Sequence, residues 1–168
     1  MPLTPLHLGS GLFLGALTTR FNLWAILLGT VVADLEPLTL ILVQNCYYCP
    51  HHSFFHSILG AIVGSLVLAV ILWSLRKNLN EISLKFKSSQ PFSFPVLFFS
   101  SLTGWLSHIS FDSLTHYDVF PFWPLKYNPI LLGPQVYWPL NFILFAVGII
   151  GSLLLIKHWR SARSIKNP

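Results

Sequence analysis

The chain has 168 residues, 54% of them hydrophobic and only 9% charged, with ten basic and five acidic side chains giving a net charge of +5. A soluble domain carries roughly 25% charged residues, so this composition excludes an ordinary soluble enzyme, a disordered chain and a nucleic-acid binder. It points to an integral membrane protein with a single membrane domain, residues 1–168.

The first apolar run, Leu6–Leu17, is short for a bilayer core, which needs about 20 apolar residues. It is expected to cross only in part and to pair, across a tight turn at Arg20, with a segment from Phe21 to about Ala33. The second run stays apolar to Val43 but carries Asp34, Glu36 and Pro37, and Pro37 is expected to break or kink it. Ser57–Leu75, Phe92–Phe111 and Tyr137–Ile156 are three further uncharged runs of spanning length. The expected fold is all-α and polytopic, with about five membrane segments, the first short or partial. Residues 1–156 form the helical bundle and 157–168 a basic tail.

Arg76, Lys77, Lys85 and Lys87 follow one long run, and Lys157, Arg160, Arg163 and Lys166 follow another. With Arg20 they put nine of the ten cations on one side. The positive-inside bias makes that side cytoplasmic, with the N-terminus outside the cell membrane and the C-terminus within. Cations at span ends, rather than along one face, make membrane lipid the expected partner and not nucleic acid. The loops Gln44–Ser53 and Tyr117–Gln135 then lie outside. Pro121, Pro124, Pro129, Pro134 and Pro139 exclude a long helix around the second loop. Its neighbours Phe120, Phe122, Trp123, Tyr127, Tyr137 and Trp138 read as an aromatic shelf at the lipid interface. Cys46 and Cys49 are too few for a disulfide framework; a local disulfide, a redox pair and a zinc half-site with His51 all fit the pair. Gly9, Gly11 and Gly15 read as close helix packing.

Ionisable groups inside apolar spans are costly and mark function. His52 and His56 stand at i and i+4. On a helix starting near Pro50 they would share a face about 6 Å apart, close enough to hold one metal ion. His108, Asp112 and His116 form an i, i+4, i+8 stripe whose ends lie about 12 Å apart. Two ions would satisfy that stripe, or His116 serves beside an ion rather than on it. At about 1.5 Å per helical residue, His7, Asp34, His56 and His108 all fall roughly 20–30 Å from the basic end, in one half of the membrane. Imidazoles with carboxylates suit a divalent metal: zinc, or else manganese or iron. His51 and His158 are expected to be plain interface residues.

At these residues the chain resembles the small membrane-bound metal-dependent hydrolases of the YdjM type, whose motifs are similar to those of zinc-dependent phospholipase C. The pattern runs through His7 in Thr4-Pro5-Leu6-His7-Leu8-Gly9, then Ala33-Asp34-Leu35-Glu36-Pro37, then His52-Ser53-Phe54-Phe55-His56-Ser57. It ends with Ser107-His108-Ile109-Ser110-Phe111-Asp112 and a further histidine, His116. Two positions depart from it: the acidic motif usually reads Pro-Asp-x-Asp, and Arg is common where Ser53 stands. The spacing and the resemblance together lead to one expectation, metal-assisted hydrolysis of a lipid or lipid-linked phosphoester near the outer leaflet. His7, Asp34, His52, His56, His108 and Asp112 would hold one or two divalent ions, and Glu36 or His116 would be the general acid or base. Lys126 is the outer cation open to a phosphate. A non-catalytic divalent-metal transport or binding site is the main alternative. A b-type haem, with two axial histidines, fits paired carboxylates poorly.

Overall fold

The computed structural model describes residues 4–18, 20–44, 52–85, 88 and 90–164, and every regular element among them is helical. The α-helices are α1 (Thr4–Leu17), α2 (Leu23–Gly29), α3 (Leu35–Gln44), α4 (Ile58–Ser74), α5 (Arg76–Lys85), α6 (Phe94–Thr115) and α7 (Tyr137–Ser164). Short 3-10 turns at Val32–Asp34, Phe54–His56 and Pro134–Val136 join some of them.

Two stretches are long and apolar enough to cross a membrane, Leu23–Leu42 and Pro134–Ser161. The α4–α5 pair, bent by 73°, makes a third if it counts as one span. That is fewer than the five segments expected. The 14 residues of α1 are too few. The 22-residue α6 is diluted by Ser100, Ser101, Thr103, Ser107, His108, Ser110, Asp112 and Ser113.

Capping residues decide where the helices begin. Asn22 accepts the Ala25 N–H at 3.0 Å, donates its Nδ2 to the Pro91 carbonyl at 2.9 Å, and sends its own N–H to Ser100 Oγ at 2.9 Å. One buried side chain thus caps α2 and ties it to the start of α6. Ser57, in extended conformation, accepts the Gly60 N–H at 3.0 Å and starts α4 at Ile58. This corrects the expectation of a helix beginning near Pro50: His52 precedes the 3-10 turn that ends at His56, and the two do not share an α-helical face. Between α2 and α3 the chain also departs from the expected kink. The break falls at residues 30–34, before Pro37, which sits in the first turn of α3 where its missing N–H costs nothing.

The helices meet through small residues. An added Cβ at Gly9 of α1 would lie 2.2 Å from the Leu144 carbonyl oxygen of α7, and one at Gly148 2.9 Å from Gly9 Cα. Gly29 faces the Ser101 carbonyl in the same way, and Gly104 the Ile26 carbonyl, which seats α2 on α6. Close backbone approach of this kind is how helices associate where the hydrophobic effect between them is weak. The buried apolar core is modest: Ala25, Leu68, Ala69, Leu72 and Leu97 near the α2–α4–α6 starts and turns, and Ala33, Ala61, Trp105 and Ile109 beside them. Ile62, Leu66, Val70, Phe142, Phe145 and Leu153 are all exposed on α4 and α7. Faces this apolar are untenable in water and suit hydrocarbon.

Chain direction puts the polar cargo at one end. Arg20 lies between the end of α1 and the start of α2, and Arg76 just past the end of α4; His7, Asp34 and His56 lie at or beyond the opposite ends of these helices, and Asp112 lies in the last turn of α6. Trp105 Nε1 donates to the Phe55 carbonyl at 2.8 Å and pins the Phe54–His56 turn to α6. If the glycine contacts set the helix spacing, Gly9→Ala should destabilise the protein by about 1–3 kcal/mol through overpacking. Leu66→Ala on the lipid-facing side should change stability by less than about 0.5 kcal/mol. Thermal unfolding in detergent compares the two, and equal effects would refute the tight α1–α7 seam.

Candidate metal centre

Asp34, His56, His108 and Asp112 come from three separate stretches, the Val32–Asp34 turn, the Phe54–His56 turn and successive turns of α6, and all four are buried. One ligand atom from each lies within 4.8 Å of every other. His108 Nε2 is 3.1 Å from Asp112 Oδ2 and 3.4 Å from Asp34 Oδ1. His56 Nε2 is 3.7 Å from each of those carboxylates and 3.3 Å from His108 Nε2. His7 closes the ring from α1, with Nε2 3.3 Å from Asp112 Oδ1 and its imidazole 4.2 Å from that of His108.

Outer partners aim these rings. His108 Nδ1 donates to the Thr30 carbonyl at 2.9 Å, which turns its Nε2 inward. His56 Nδ1 is 3.1 Å from Glu36 Oε2, which also accepts the Ser53 N–H at 3.2 Å. Ser10 Oγ donates to the His7 carbonyl and accepts from Ser107 Oγ, joining α1 to α6 one residue before His108. An imidazole whose Nδ1–H is held by a carboxylate or carbonyl presents a lone pair at Nε2, the arrangement that orients metal-ligating histidines.

The fit to a divalent cation rests on two observations. First, both Asp112 oxygens and both His7 nitrogens are buried without an aligned hydrogen bond, although their neighbours are close. Such groups point at a common interior position more than at one another. Second, donors about 2.0–2.2 Å from one ion in a tetrahedron stand roughly 3.3–3.6 Å apart, and the distances found run from 3.1 to 3.7 Å. His56 Nε2 and His108 Nε2 also face each other at 3.3 Å, where at most one can carry a proton. The same crowding leaves no plane for a porphyrin between two axial histidines, so the haem alternative does not fit. Nitrogen and carboxylate donors do not select zinc over manganese or iron.

The other predicted residues fall as follows. Asp34 and Glu36 both reach His56, because the break at residues 30–34 removes the opposition a regular helix would impose. His52 lies apart from the four-residue group: its Nε2 is 3.9 Å from Asp112 Oδ2, and its Nδ1 turns to Asp118 Oδ1 at 3.0 Å. His116 stacks near His52, with ring centroids 4.7 Å apart. Burial holds the His116 imidazole down to about 4, with Asp112 opposing that shift, so it is neutral near pH 7. Asp118 escaped the sequence reading. Its signal was the His116-x-Asp118 spacing just past the end of α6. Lys126 is exposed, and His158 is exposed on α7. Cys46, Cys49 and His51 lie outside the described residues.

The family model described as YdjM inner membrane protein matches residues 1–166. No curated protein and no solved structure matches the chain. The chain belongs to the YdjM inner membrane protein family, and its apolar helices accord with that setting. Replacing His108 and Asp112 together by Ala should remove the divalent metal held by this centre while the protein still inserts, whereas His158→Ala should change nothing. Elemental analysis of purified protein checks both; full metal content in the double variant would exclude the centre.

Proposed function

We propose that the protein is a membrane-embedded, metal-dependent hydrolase whose substrate is a lipid or lipid-linked phosphoester presented at the outer leaflet. The observation that carries this reading is the convergence of His7, His56 and His108 nitrogens with Asp34 and Asp112 oxygens in a buried cluster within an apolar bundle. A divalent ion in that position supplies Lewis-acid polarisation of a phosphoryl oxygen and makes water acidic enough to deprotonate near neutral pH.

Each protein group then has a task. Asp34, His56, His108 and Asp112 hold the charge, with His7 against the far oxygen of Asp112. Glu36 Oε2 fixes the His56 ring through Nδ1 and is the carboxylate we assign to receiving and returning a proton. Thr30 keeps His108 from rotating. Exposed Phe122, Trp123, Tyr127 and Trp138 follow the helix ends that carry the site and suit the headgroup level of a bilayer. Exposed Lys126 lies among them and offers a cation to a phosphate. The outward placement rests on the positive-inside bias of the opposite end.

Two measurements test this reading. In protein with Cys46 and Cys49 replaced by Ser, a cysteine at Asn78 should resist a membrane-impermeant thiol reagent added to intact cells. Efficient labelling would turn the site inward. Turnover of a panel of lipid phosphoesters in detergent, with metal content measured on the same samples, tests catalysis. Asp34→Asn should lose the metal of the buried centre and activity together. Glu36→Gln should keep metal and lose on the order of 10²–10⁴ in rate, the range for a general acid or base. Metal-loaded wild type that hydrolyses none of the panel, but carries Zn²⁺ or Mn²⁺ into proteoliposomes, would replace the hydrolase with a transporter.

A further inference from the structure

His52, His116 and Asp118 form a group of their own, outside the four residues of the buried centre, with one ligand atom from each within 4.8 Å of the others. His52 comes from the stretch before the Phe54–His56 turn, His116 ends α6, and Asp118 lies in the loop that follows. The backbone builds this meeting. His116 N–H bonds the Asp112 carbonyl at 2.9 Å and completes the last turn of α6, while the Ile58 N–H donates to the Pro121 carbonyl at 2.9 Å and holds the loop beside the start of α4. His52 N–H reaches Asp118 Oδ2 at 3.3 Å.

The two imidazoles of this group are close and keep ring nitrogens without an aligned hydrogen bond. His52 Nδ1 and Asp118 Oδ1 are 3.0 Å apart, yet both ring nitrogens of His52 lack an aligned hydrogen bond, and its side chain is only 3% exposed. His116 Nε2 is likewise buried and without a hydrogen-bond partner. Two imidazoles therefore carry unfilled nitrogens at a point edged by a carboxylate. Leaving such atoms buried and unbonded is costly, a cost that a shared cation would remove. Unlike the inner centre, this group has an open side, since the Asp118 side chain is 30% exposed.

We infer that His52, His116 and Asp118 hold a second divalent cation beside the buried centre, on its more exposed side. The inference rests on the hydrolase reading only for its use. With His52 Nδ1 facing Asp118, His52 Nε2 faces Asp112 Oδ2 at 3.9 Å, so one imidazole links the outer group to a carboxylate of the inner one. A carboxylate behind a ligating histidine strengthens it as a donor. A cation held by His52, His116 and Asp118 would offer positive charge to a phosphoester from the headgroup region on the exposed side of the inner centre.

The test is stoichiometry. Full-length protein in detergent is stripped with a chelator, titrated with Zn²⁺, separated from free ion and analysed for bound metal. Wild type should bind two equivalents. His116→Ala/Asp118→Asn should bind one and keep the wild-type helix signal by circular dichroism, and Asp118→Asn alone should weaken the second equivalent at least tenfold. His108→Ala/Asp34→Asn should lose the inner equivalent and retain the outer. Saturation of wild type at one equivalent, lost with His108→Ala, overturns the second site and leaves the hydrolase reading standing. Two equivalents retained in both outer variants also overturn it. Two equivalents with no phosphoester turnover support the outer site and defeat the hydrolase.

Discussion

Asp112 is a carboxylate with 1% of its side chain exposed, set inside an apolar helix bundle. An isolated charge there would cost several kcal/mol after relaxation, so the surrounding structure has to answer it. Imidazole nitrogens from α1, α6 and the Phe54–His56 turn stand 3.1–3.7 Å from its two oxygens. Asp34 brings a second acid into the same space. Two buried acids and three imidazoles can reach neutrality through shared protons or through a cation. The poor hydrogen-bond alignment around Asp112 makes the cation the better account.

Bringing those groups together constrains the helices more than any apolar contact does. Nothing in the buried core is larger than Trp105, and much of it is alanine. Glycines at positions 9, 29, 104 and 148 let backbones meet at distances no other residue allows. In hydrocarbon, where apolar side chains gain little by leaving their surroundings, close packing and interhelical polar contacts carry association. Ser107 to Ser10, Trp105 to Phe55 and His108 to Thr30 are polar ties that each adjoin a metal-centre residue, and Asn22 supplies further ties at the opposite end.

The membrane character and the helical class were legible from composition because too few charges exist to coat a soluble surface. The shared depth of His7, Asp34, His56 and His108 was legible because a helix advances by a fixed rise per residue. Depth counting fails where helices break. It gave no warning that α4 starts at Ile58, since that boundary is set by Ser57, whose side chain caps the helix after the Phe54–His56 turn. The number of spans was overread because uncharged runs were counted without weighing the serines of α6. Asp118 stayed hidden because a loop residue has no helical period and only a short spacing from His116 to mark it; the return of the chain brings it to His52.

The break between α2 and α3 leaves the Thr30 carbonyl outside any regular helix, and His108 takes it. A helix C-terminus carries partial negative charge, and discontinuous helices in membranes use such ends to attract cations. The aiming of His108 is therefore written into the main chain rather than into a side chain. Mutational scanning would miss it: exchanging the threonine at position 30 leaves the carbonyl in place. An insertion or deletion within residues 30–34 would rotate that carbonyl away, so the centre tolerates changes of composition there far better than changes of length.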